Sequence, residues 1–287
     1  MRIVLAIGAA LLALAAVAGC GGSSAAGGPT VVAAFYPLAY AAEQVGGPRV
    51  SVKNLTPPGA EPHDIELTAR EVADLQRADV VLYLSHGFQP AVQDAVRDAQ
   101  GTKVDALAGI GIRTGVGDEA GRPDPHVWLD PHLYAQVARR IGTALGEPRR
   151  AKALAARATV LDHAYRKGLA QCARRTFVTS HAAFGYLAAR YGLRQIAITG
   201  IDPESEPSPK SLAHLTQLVR REHINTVFFE RLVSPKLAQT VAREAGAKTA
   251  VLDPIEGLTA DEQRQGATYF SLMRQNLREL RTVLGCR

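Results

Sequence analysis

Short apolar segments alternate with helical patterns along almost the whole chain, and this alternation constrains the fold most strongly. Eight segments are rich in Val, Ile or Phe, as strands are in a sheet that helices cover on both faces. They form two sets of four, at 30–36, 50–56, 79–85 and 102–107, and at 176–180, 195–199, 226–230 and 249–252. Strands separated by helices predict parallel sheets of the α/β class.

One long helical pattern separates the two sets of strands. It covers roughly 148–171 and has no internal proline, and its apolar face consists of Leu154, Ala158, Leu161, Tyr165 and Leu169. We therefore predict two similar lobes, each a parallel-type sheet flanked by helices, joined by one long rigid α-helix. The predicted boundaries are 30–146 for the first lobe, 147–172 for the linking helix and 173–287 for the second lobe.

Two further helices have recognisable ends in the sequence. One begins at Asp130-Pro131, a capping residue followed by proline in the first turn, and stops at Gly146. The last helix is predicted to open at Thr259, where the spacing to Glu262 fits a capping box, and to continue through Leu284.

The first 20 residues have the pattern of a bacterial lipoprotein export signal. Arg2 precedes an apolar stretch that is too short to span a membrane, and the stretch ends in a lipobox-like sequence at Cys20. Cys20 would carry the lipid, and residues 21–29, rich in Gly and Ser, would form a flexible tether. The alternative is an ordinary signal peptide. We expect an extracytoplasmic, membrane-anchored lipoprotein, in a periplasm or on the outer face of the cytoplasmic membrane.

The two remaining cysteines and the charge say more about the compartment and the partners. In an oxidising compartment Cys172 and Cys286 are expected to form a disulfide, although two unrelated buried thiols are the alternative. The formal net charge is +6, but no dense run of Lys and Arg is interleaved with aromatic residues, so nucleic acid is not an expected partner. We expect a monomer.

Four side chains of metal-binding type lie in loops that follow predicted strands or open helices. They are His63 and His126 in the first lobe, and His181 and Asp253 in the second. Ligands of open α/β sheets bind outside the carboxyl ends of the strands. Convergence of the four residues there would create a site with three imidazoles and one carboxylate in the cleft between the lobes, which suits zinc.

The fourth ligand has alternatives. Asp253 precedes Pro254 and could cap a turn instead, and Glu61, Asp64 or a water could take its place. A metal-bound histidine usually donates its other ring N–H to a carboxylate or carbonyl. Candidates for that outer role are Asp64, Glu204, Glu206 and Glu230.

Five motifs in this order resemble the zinc and manganese solute-binding lipoproteins of bacterial ABC importers, the cluster A-I receptors, in their zinc-binding branch. The motifs are 58–63 (PGAEPH), 126–131 (HVWLDP), 179–186 (TSHAAFGY), 203–208 (PESEPS) and 252–254 (LDP). The resemblance covers essentially the whole chain beyond the signal. It implies two lobes joined by a long helix, with one metal in the cleft, and it places the ligands at His63, His126, His181 and Asp253.

The third ligand position bears on the metal. Members of this family with histidine there tend to handle zinc, and His181 occupies that position. Imidazole suits zinc, which also binds nitrogen-containing sites more tightly than manganese does, so Zn²⁺ is expected and Mn²⁺ is the alternative.

Two departures from the family pattern stand out. Segment 115–125 is short and lacks the histidines that many zinc-specific relatives carry, and residues 66–68 read Glu-Leu-Thr instead of Glu-Pro-Thr.

The resemblance implies a receptor that captures Zn²⁺ and delivers it to the transmembrane subunit of an ABC permease, by coordination and not by turnover. A manganese or broad-specificity receptor of the same family is the first alternative. A zinc hydrolase is a rival from another class, because catalytic zinc needs an open coordination position and a base beside its water. A surface adhesin or metallochaperone on the same scaffold would still bind metal.

Overall fold

The computed structural model describes residues 28–115 and 120–287. The first sheet contains four parallel strands in the order β2-β1-β3-β4. These strands are β1 (Thr30–Ala33), β2 (Ser51–Asn54), β3 (Val80–Tyr83) and β4 (Thr102–Asp105). In the register of the sheet, Val31 lies opposite Val52 on one side and Val80 on the other.

The second sheet repeats this topology with the order β6-β5-β7-β8, again all parallel. Its strands are β5 (Thr176–Thr179), β6 (Arg194–Ala197), β7 (Thr226–Phe229) and β8 (Lys248–Val251). All eight predicted strands are present, and the predicted fold class is confirmed. The strands are shorter than the apolar segments because the chain leaves the sheet to form the loops of the site or a helix. After β1, for example, Pro37 lies in the first turn of a helix.

Four helices accompany the first sheet: α1 (Tyr36–Gly46), α2 (Ala69–Arg77), α3 (Pro90–Arg97) and α4 (Pro131–Ala144). The Thr68 side chain caps α2 and forms a reciprocal capping box with Glu71. The side chain of Asp130 caps α4 by accepting from the backbone N–H of His132, as the Asp-Pro pair predicts. A short 3₁₀ turn, Val127–Leu129, leads directly into this cap.

The predicted linking helix is α5 (Pro148–Gly168), with 21 residues. It packs along α4 after a tight turn at Gly146, whose φ of +66° is accessible to glycine at little cost. Its C-terminal half contacts a helix of the second lobe, and the Tyr165 hydroxyl donates to the carbonyl of Met273. The helix therefore packs against elements on both sides of the chain division.

Five helices complete the second half: α6 (Gly185–Arg190), α7 (Pro209–Arg221), α8 (Lys236–Ala245), α9 (Ala260–Arg264) and α10 (Tyr269–Leu284). The prediction of a single last helix from Thr259 was wrong. The capping box of Thr259 and Glu262 is present, but α9 ends after five residues. Gly266 then adopts φ +68°, and Thr268 caps the separate α10.

The apolar core extends from one lobe into the other. The larger cluster of buried side chains includes Val31 and Leu82 of the first sheet, Leu161 of α5, and Phe177 and Leu280 from the second half. A smaller cluster lies around Val219 and Val227, between α7 and the second sheet. Because the larger core is continuous, the lobe boundaries at residues 146 and 172 stay a prediction.

Polar contacts also connect the two halves. Nε of Arg190, at the end of α6, lies 2.7 Å from Oδ1 of Asp162 in α5 and 3.1 Å from Oδ1 of Asp130. The Tyr191 hydroxyl donates to the same Asp162 oxygen at 3.0 Å. Burial alone would raise the pKa of Asp162, but the Arg190 and Arg166 guanidinium groups lower it to about 2. The carboxylate is thus held ionised between the lobes.

The predicted disulfide between Cys172 and Cys286 is present. It joins the segment after α5 to the C-terminal tail, where Ala173 also donates its N–H to the carbonyl of Gly285. Cys20 and the signal pattern lie outside the described residues. Within 28–115 and 120–287, helices long and apolar enough to cross a bilayer are absent.

Candidate metal centre

The three predicted histidines meet at the carboxyl ends of the two sheets. His63 lies in the loop that follows β2, His126 precedes the 3₁₀ turn into α4, and His181 follows β5 by two residues. Together with Glu256 they can each offer one ligand atom, and these four atoms lie within 4.8 Å of one another. The group therefore draws two residues from each half of the chain, as predicted for a site between lobes.

The Glu256 carboxylate is the centre of this group. Its Oε1 lies 3.1 Å from Nε2 of His126, 3.4 Å from Nε2 of His181 and 3.5 Å from Nε2 of His63. Four ligands at the usual zinc distances on a tetrahedron are separated from one another by about 3.3 Å. The distances from Glu256 Oε1 to the three Nε2 atoms therefore match those expected around one small cation.

Two outer carboxylates fix the orientation of the imidazoles. Nδ1 of His126 lies 2.7 Å from Oδ1 of Asp124, and Nδ1 of His181 lies 2.7 Å from Oε1 of Glu230. An ionised carboxylate only accepts, so each Nδ1 carries the proton and each neutral ring turns a lone pair on Nε2 toward the centre. The two Nε2 atoms are 3.4 Å apart. Facing lone pairs repel unless a proton or a metal cation lies between them.

The burial of the four residues strengthens the requirement for a proton or a metal cation between them. His126, His181 and Glu256 are each at most 1% exposed, and His63 is 7% exposed. Buried polar atoms normally have hydrogen-bond partners. Yet Nε2 of His63 and Oε2 of Glu256 are buried without a hydrogen bond. These unpaired atoms belong to the same four-residue group, and a bound cation would satisfy them.

The pKa shifts describe a group that attracts positive charge. Burial alone would lower the pKa of His126 and His181, but the carboxylates raise both, and His181 well above its usual value. At His63 burial dominates, and the pKa is lowered. Burial alone would raise the pKa of Glu256, but the histidines, above all His181, hold it well below its usual value. Glu256 is therefore ionised, and it can accept a hydrogen bond from a protonated imidazole or bind a metal cation.

The structure places Asp253, the predicted fourth ligand, outside this group, and Glu256 takes the fourth place in it. Oδ1 of Asp253 accepts from the backbone N–H of Ile255 at 2.7 Å, the turn-capping alternative, and Oδ2 faces Arg231 at 3.8 Å. Asn276 holds the backbone of Asp253 from both sides. Ile255 then adopts φ +58°, which redirects the chain and brings Glu256 to the histidines.

The other candidates for the fourth position lie beside the group. The Glu61 carboxylate accepts from the backbone N–H of His63 at 2.9 Å, and its other oxygen is 4.0 Å from Nε2 of that residue. Burial, followed by the charge of Glu256, raises the pKa of Glu61 to about 8. Asp64 is exposed and lies outside the group.

Of the predicted outer partners, the structure brings only Glu230 to a histidine. It accepts from Ser180 as well as from His181. Asp64, Glu204 and Glu206 are exposed and lie outside the four-residue group. The sequence analysis missed Asp124, which also accepts from the backbone N–H of His126 at 2.9 Å. Its position two residues before a candidate ligand is a local turn signal that could have identified it.

Aromatic side chains support the site from the first lobe. The Trp128 ring lies 5.0 Å from that of His126, and its Nε1 donates to the carbonyl of Pro254 at 2.7 Å. The Phe88 ring packs edge-on against His63 at 4.6 Å. Trp128 thus links the loop of His126 to the loop that carries Glu256, so both halves of the ligand set are positioned together.

Comparison with known proteins agrees with this geometry. A family model described as "ZnuA: Zinc-uptake complex component A periplasmic" matches residues 31–283. The chain is 36% identical over 283 residues to the zinc-binding protein AdcA of Streptococcus pyogenes serotype M3, covering 88% of this chain and 55% of that protein. It thus spans about half the length of AdcA. It is 34% identical over 298 residues to the high-affinity zinc uptake system protein ZnuA of Bacillus subtilis, covering 93% of both.

Solved structures give the same result. The Zn(II)-bound ZnuA-like domain of Streptococcus pneumoniae AdcA is 36% identical with a TM-score of 0.76, covering 90% of this chain and 99% of that one. The laminin-binding protein Lmb of Streptococcus agalactiae, described as a bifunctional protein with adhesin and metal transporting activity, is 32% identical. Its TM-score is 0.81, with 90% of this chain and 100% of that one covered. The chain belongs to the ZnuA family of zinc-uptake components.

Proposed function

We propose that this protein is an extracytoplasmic receptor that binds Zn²⁺ and delivers it to the transmembrane subunit of an ABC permease. The observation that carries the proposal is the buried convergence of His63, His126, His181 and Glu256, with three ring nitrogens and one carboxylate oxygen within 4.8 Å of one another. Membership of the ZnuA family supports zinc uptake as the purpose of that group. Zinc is cargo here, so the protein supplies ligands and no chemical step.

Zinc is favoured over manganese by the donor set. Three imidazoles and a single carboxylate suit zinc, whereas manganese prefers shells richer in oxygen, and zinc binds a given site of this type more tightly. The test is a competition titration of the metal-free protein with Zn²⁺ and Mn²⁺ against a chelator. We expect one tight zinc site per chain and much weaker manganese binding. Comparable binding of the two metals would contradict zinc specificity. The absence of any tight metal site would contradict the proposal that the protein is a metal receptor.

A hydrolytic role has less support. Catalytic zinc keeps a coordination position open for water. Four protein donors from His63, His126, His181 and Glu256 would fill a tetrahedral shell. The relatives named above are zinc-binding and zinc-uptake proteins.

Attachment to a membrane through Cys20 is part of the proposal. The lipobox-like sequence supports it, and one relative, from Streptococcus pneumoniae, carries the name zinc-binding lipoprotein AdcA. The anchor would keep the receptor close to its permease. We propose that the protein acts as a monomer.

Loss of the Glu230 carboxylate should weaken zinc binding without abolishing it. Glu230→Gln keeps an oxygen that can accept from Nδ1 of His181, but it removes the charge that makes the ring a better ligand. We expect zinc affinity to fall about tenfold, the lower end of what outer partners contribute. Glu204→Gln, an exposed change outside the group, is the matched control. Equal affinities for the two variants would show that Glu230 does not support the ligand.

Zinc binding should weaken as the pH falls. The neighbouring carboxylates raise the pKa of His181, so the metal-free protein holds a proton there more readily than an isolated imidazole does. Zinc needs the neutral ring, so binding must release protons, and protons compete more strongly at acidic pH. Calorimetry in buffers of different ionisation enthalpy measures this release directly. An affinity that stays constant from mildly alkaline to mildly acidic pH would contradict histidine ligation.

A further inference from the structure

Positive charge is concentrated in one part of this chain. Residues 139–175 contain ten Lys and Arg and only two Asp and Glu, a formal charge of +8, although the whole chain carries +6. The rest of the protein is therefore slightly acidic. This segment consists of the last turns of α4, the linking helix α5 and the approach to β5.

Six exposed side chains of α5 form what we call the basic face: Arg149, Arg150, Lys152, Arg157, Arg166 and Lys167. The only acidic residue of α5 is Asp162, which is buried and already paired with Arg166 and Arg190. Just before the helix, Glu147 pairs with Arg49. The two acidic residues of the segment are thus engaged, and the basic face carries an excess of positive charge.

The shape of the basic face suits an extended surface. Its 21-residue helix is about 31 Å long and has no proline beyond its first turn. Between the two basic ends, Val160 is 64% exposed, and the exposed neighbours Ala153 and Ala156 are small. A flat, charged partner could therefore approach along the whole helix without meeting an exposed acidic side chain of α5.

The described chain begins beside this face. Gly28 packs closely against the backbone carbonyl of Arg49, and Gly47 packs closely against the guanidinium of Arg150 in α5. The proposed lipid attachment, Cys20, precedes Gly28 by eight residues, which can span at most about 29 Å. Chain length alone therefore keeps the start of α5 near the anchored membrane.

We propose that the basic face docks on the anionic phospholipid headgroups of the membrane that holds the protein. The proposal rests on the proposed anchor for its choice of partner, but docking itself needs only the charges of α5. Clusters of Lys and Arg bind anionic lipid surfaces within about a Debye length. None of the six residues belongs to the metal group, so lipid docking and zinc binding can be measured separately.

The test is co-sedimentation of residues 21–287 with vesicles. We expect binding to phosphatidylcholine vesicles that contain phosphatidylglycerol, weaker binding as salt rises, and none to phosphatidylcholine alone. The test variant carries Arg149→Gln, Arg150→Gln, Lys152→Gln and Lys167→Gln, and it spares Arg157 and Arg166, which contact Tyr40 and Asp162. Its vesicle affinity should fall by about 1,000-fold, while its zinc affinity stays that of the unmodified chain.

A second variant controls for net charge. Arg70→Gln, Lys210→Gln, Arg221→Gln and Lys236→Gln removes four exposed positive charges from other helices. We expect this variant to keep most of its vesicle binding. Equal losses in the two variants, or no binding by the unmodified chain, would overturn the proposal. Binding of the unmodified chain to an immobilised acidic polypeptide, together with no binding to vesicles, would also overturn the proposal. That result would indicate a protein partner. Failure of zinc binding would instead overturn the proposed function alone.

Discussion

Replacement of His126 by alanine should lower zinc affinity about 1,000-fold. Structural zinc sites bind with roughly 10–16 kcal/mol of apparent free energy, so each of four ligands carries about 2.5–4 kcal/mol on average. His126 belongs at the upper end because it is fully buried and its ring is oriented by Asp124, which accepts from Nδ1. Its loss would also leave two buried carboxylates without that partner, which costs further free energy.

The matched control for His126→Ala is His163→Ala. His163 is exposed on α5 and lies outside the metal group. We expect its variant to bind zinc like the unmodified protein in the same chelator competition. Unchanged zinc affinity in His126→Ala would contradict its assignment as a ligand. Thermal unfolding of the metal-free variants separates a lost ligand from a lost fold, since only the latter would lower the unfolding midpoint severely without zinc.

Glu256→Gln should lower zinc affinity about 100-fold, whereas Asp253→Asn should leave it within a few-fold of the original. Both changes remove one carboxylate charge from the same loop with almost no change in shape. Glu256 is the charged oxygen donor of the group, and an amide oxygen is a weaker ligand. In Asp253→Asn, the amide oxygen of the new side chain could still accept from the backbone N–H of Ile255, so the turn that places Glu256 should survive.

This pair of variants separates the two carboxylates of the loop. A large loss of zinc affinity in Asp253→Asn with little loss in Glu256→Gln would restore Asp253 as the ligand. Equal losses would indicate that the loop, and not one side chain, determines affinity. Thermal unfolding of each metal-free variant tests whether the loop itself is disturbed, because a disturbed loop would lower the stability of the protein as well as its zinc affinity.

The sequence predicted three of the four members of the metal group because they follow simple rules of sheet geometry. His63 and His181 follow β2 and β5, and the carboxyl ends of parallel strands collect ligands. The placement of Asp253 outside the group has a local cause. Nothing in the pattern around 252–256 indicates that the β-branched Ile255 adopts φ +58°, a conformation such residues rarely take, and that turn decides which carboxylate faces the histidines.

The fold was predictable where periodicity was strong and harder to predict where chain turns intervene. Eight apolar segments predicted eight strands, and the proline-free pattern predicted α5 to within a few residues. The sequence predicts one continuous last helix because the capping box at Thr259 opens the segment and an apolar repeat from Tyr269 to Leu284 follows it. Gly266 interrupts it. The continuity of the core across the lobes depends on long-range packing, which no local pattern encodes.

The most direct test of the central claim is a crystal structure of the zinc-loaded protein, with anomalous diffraction measured on either side of the zinc absorption edge. We predict a single strong zinc peak per chain, about 2.0–2.2 Å from Nε2 of His63, His126 and His181 and from a carboxylate oxygen of Glu256. A zinc peak coordinated by Asp253 in place of Glu256, or no ordered zinc between the three histidines, would contradict the account.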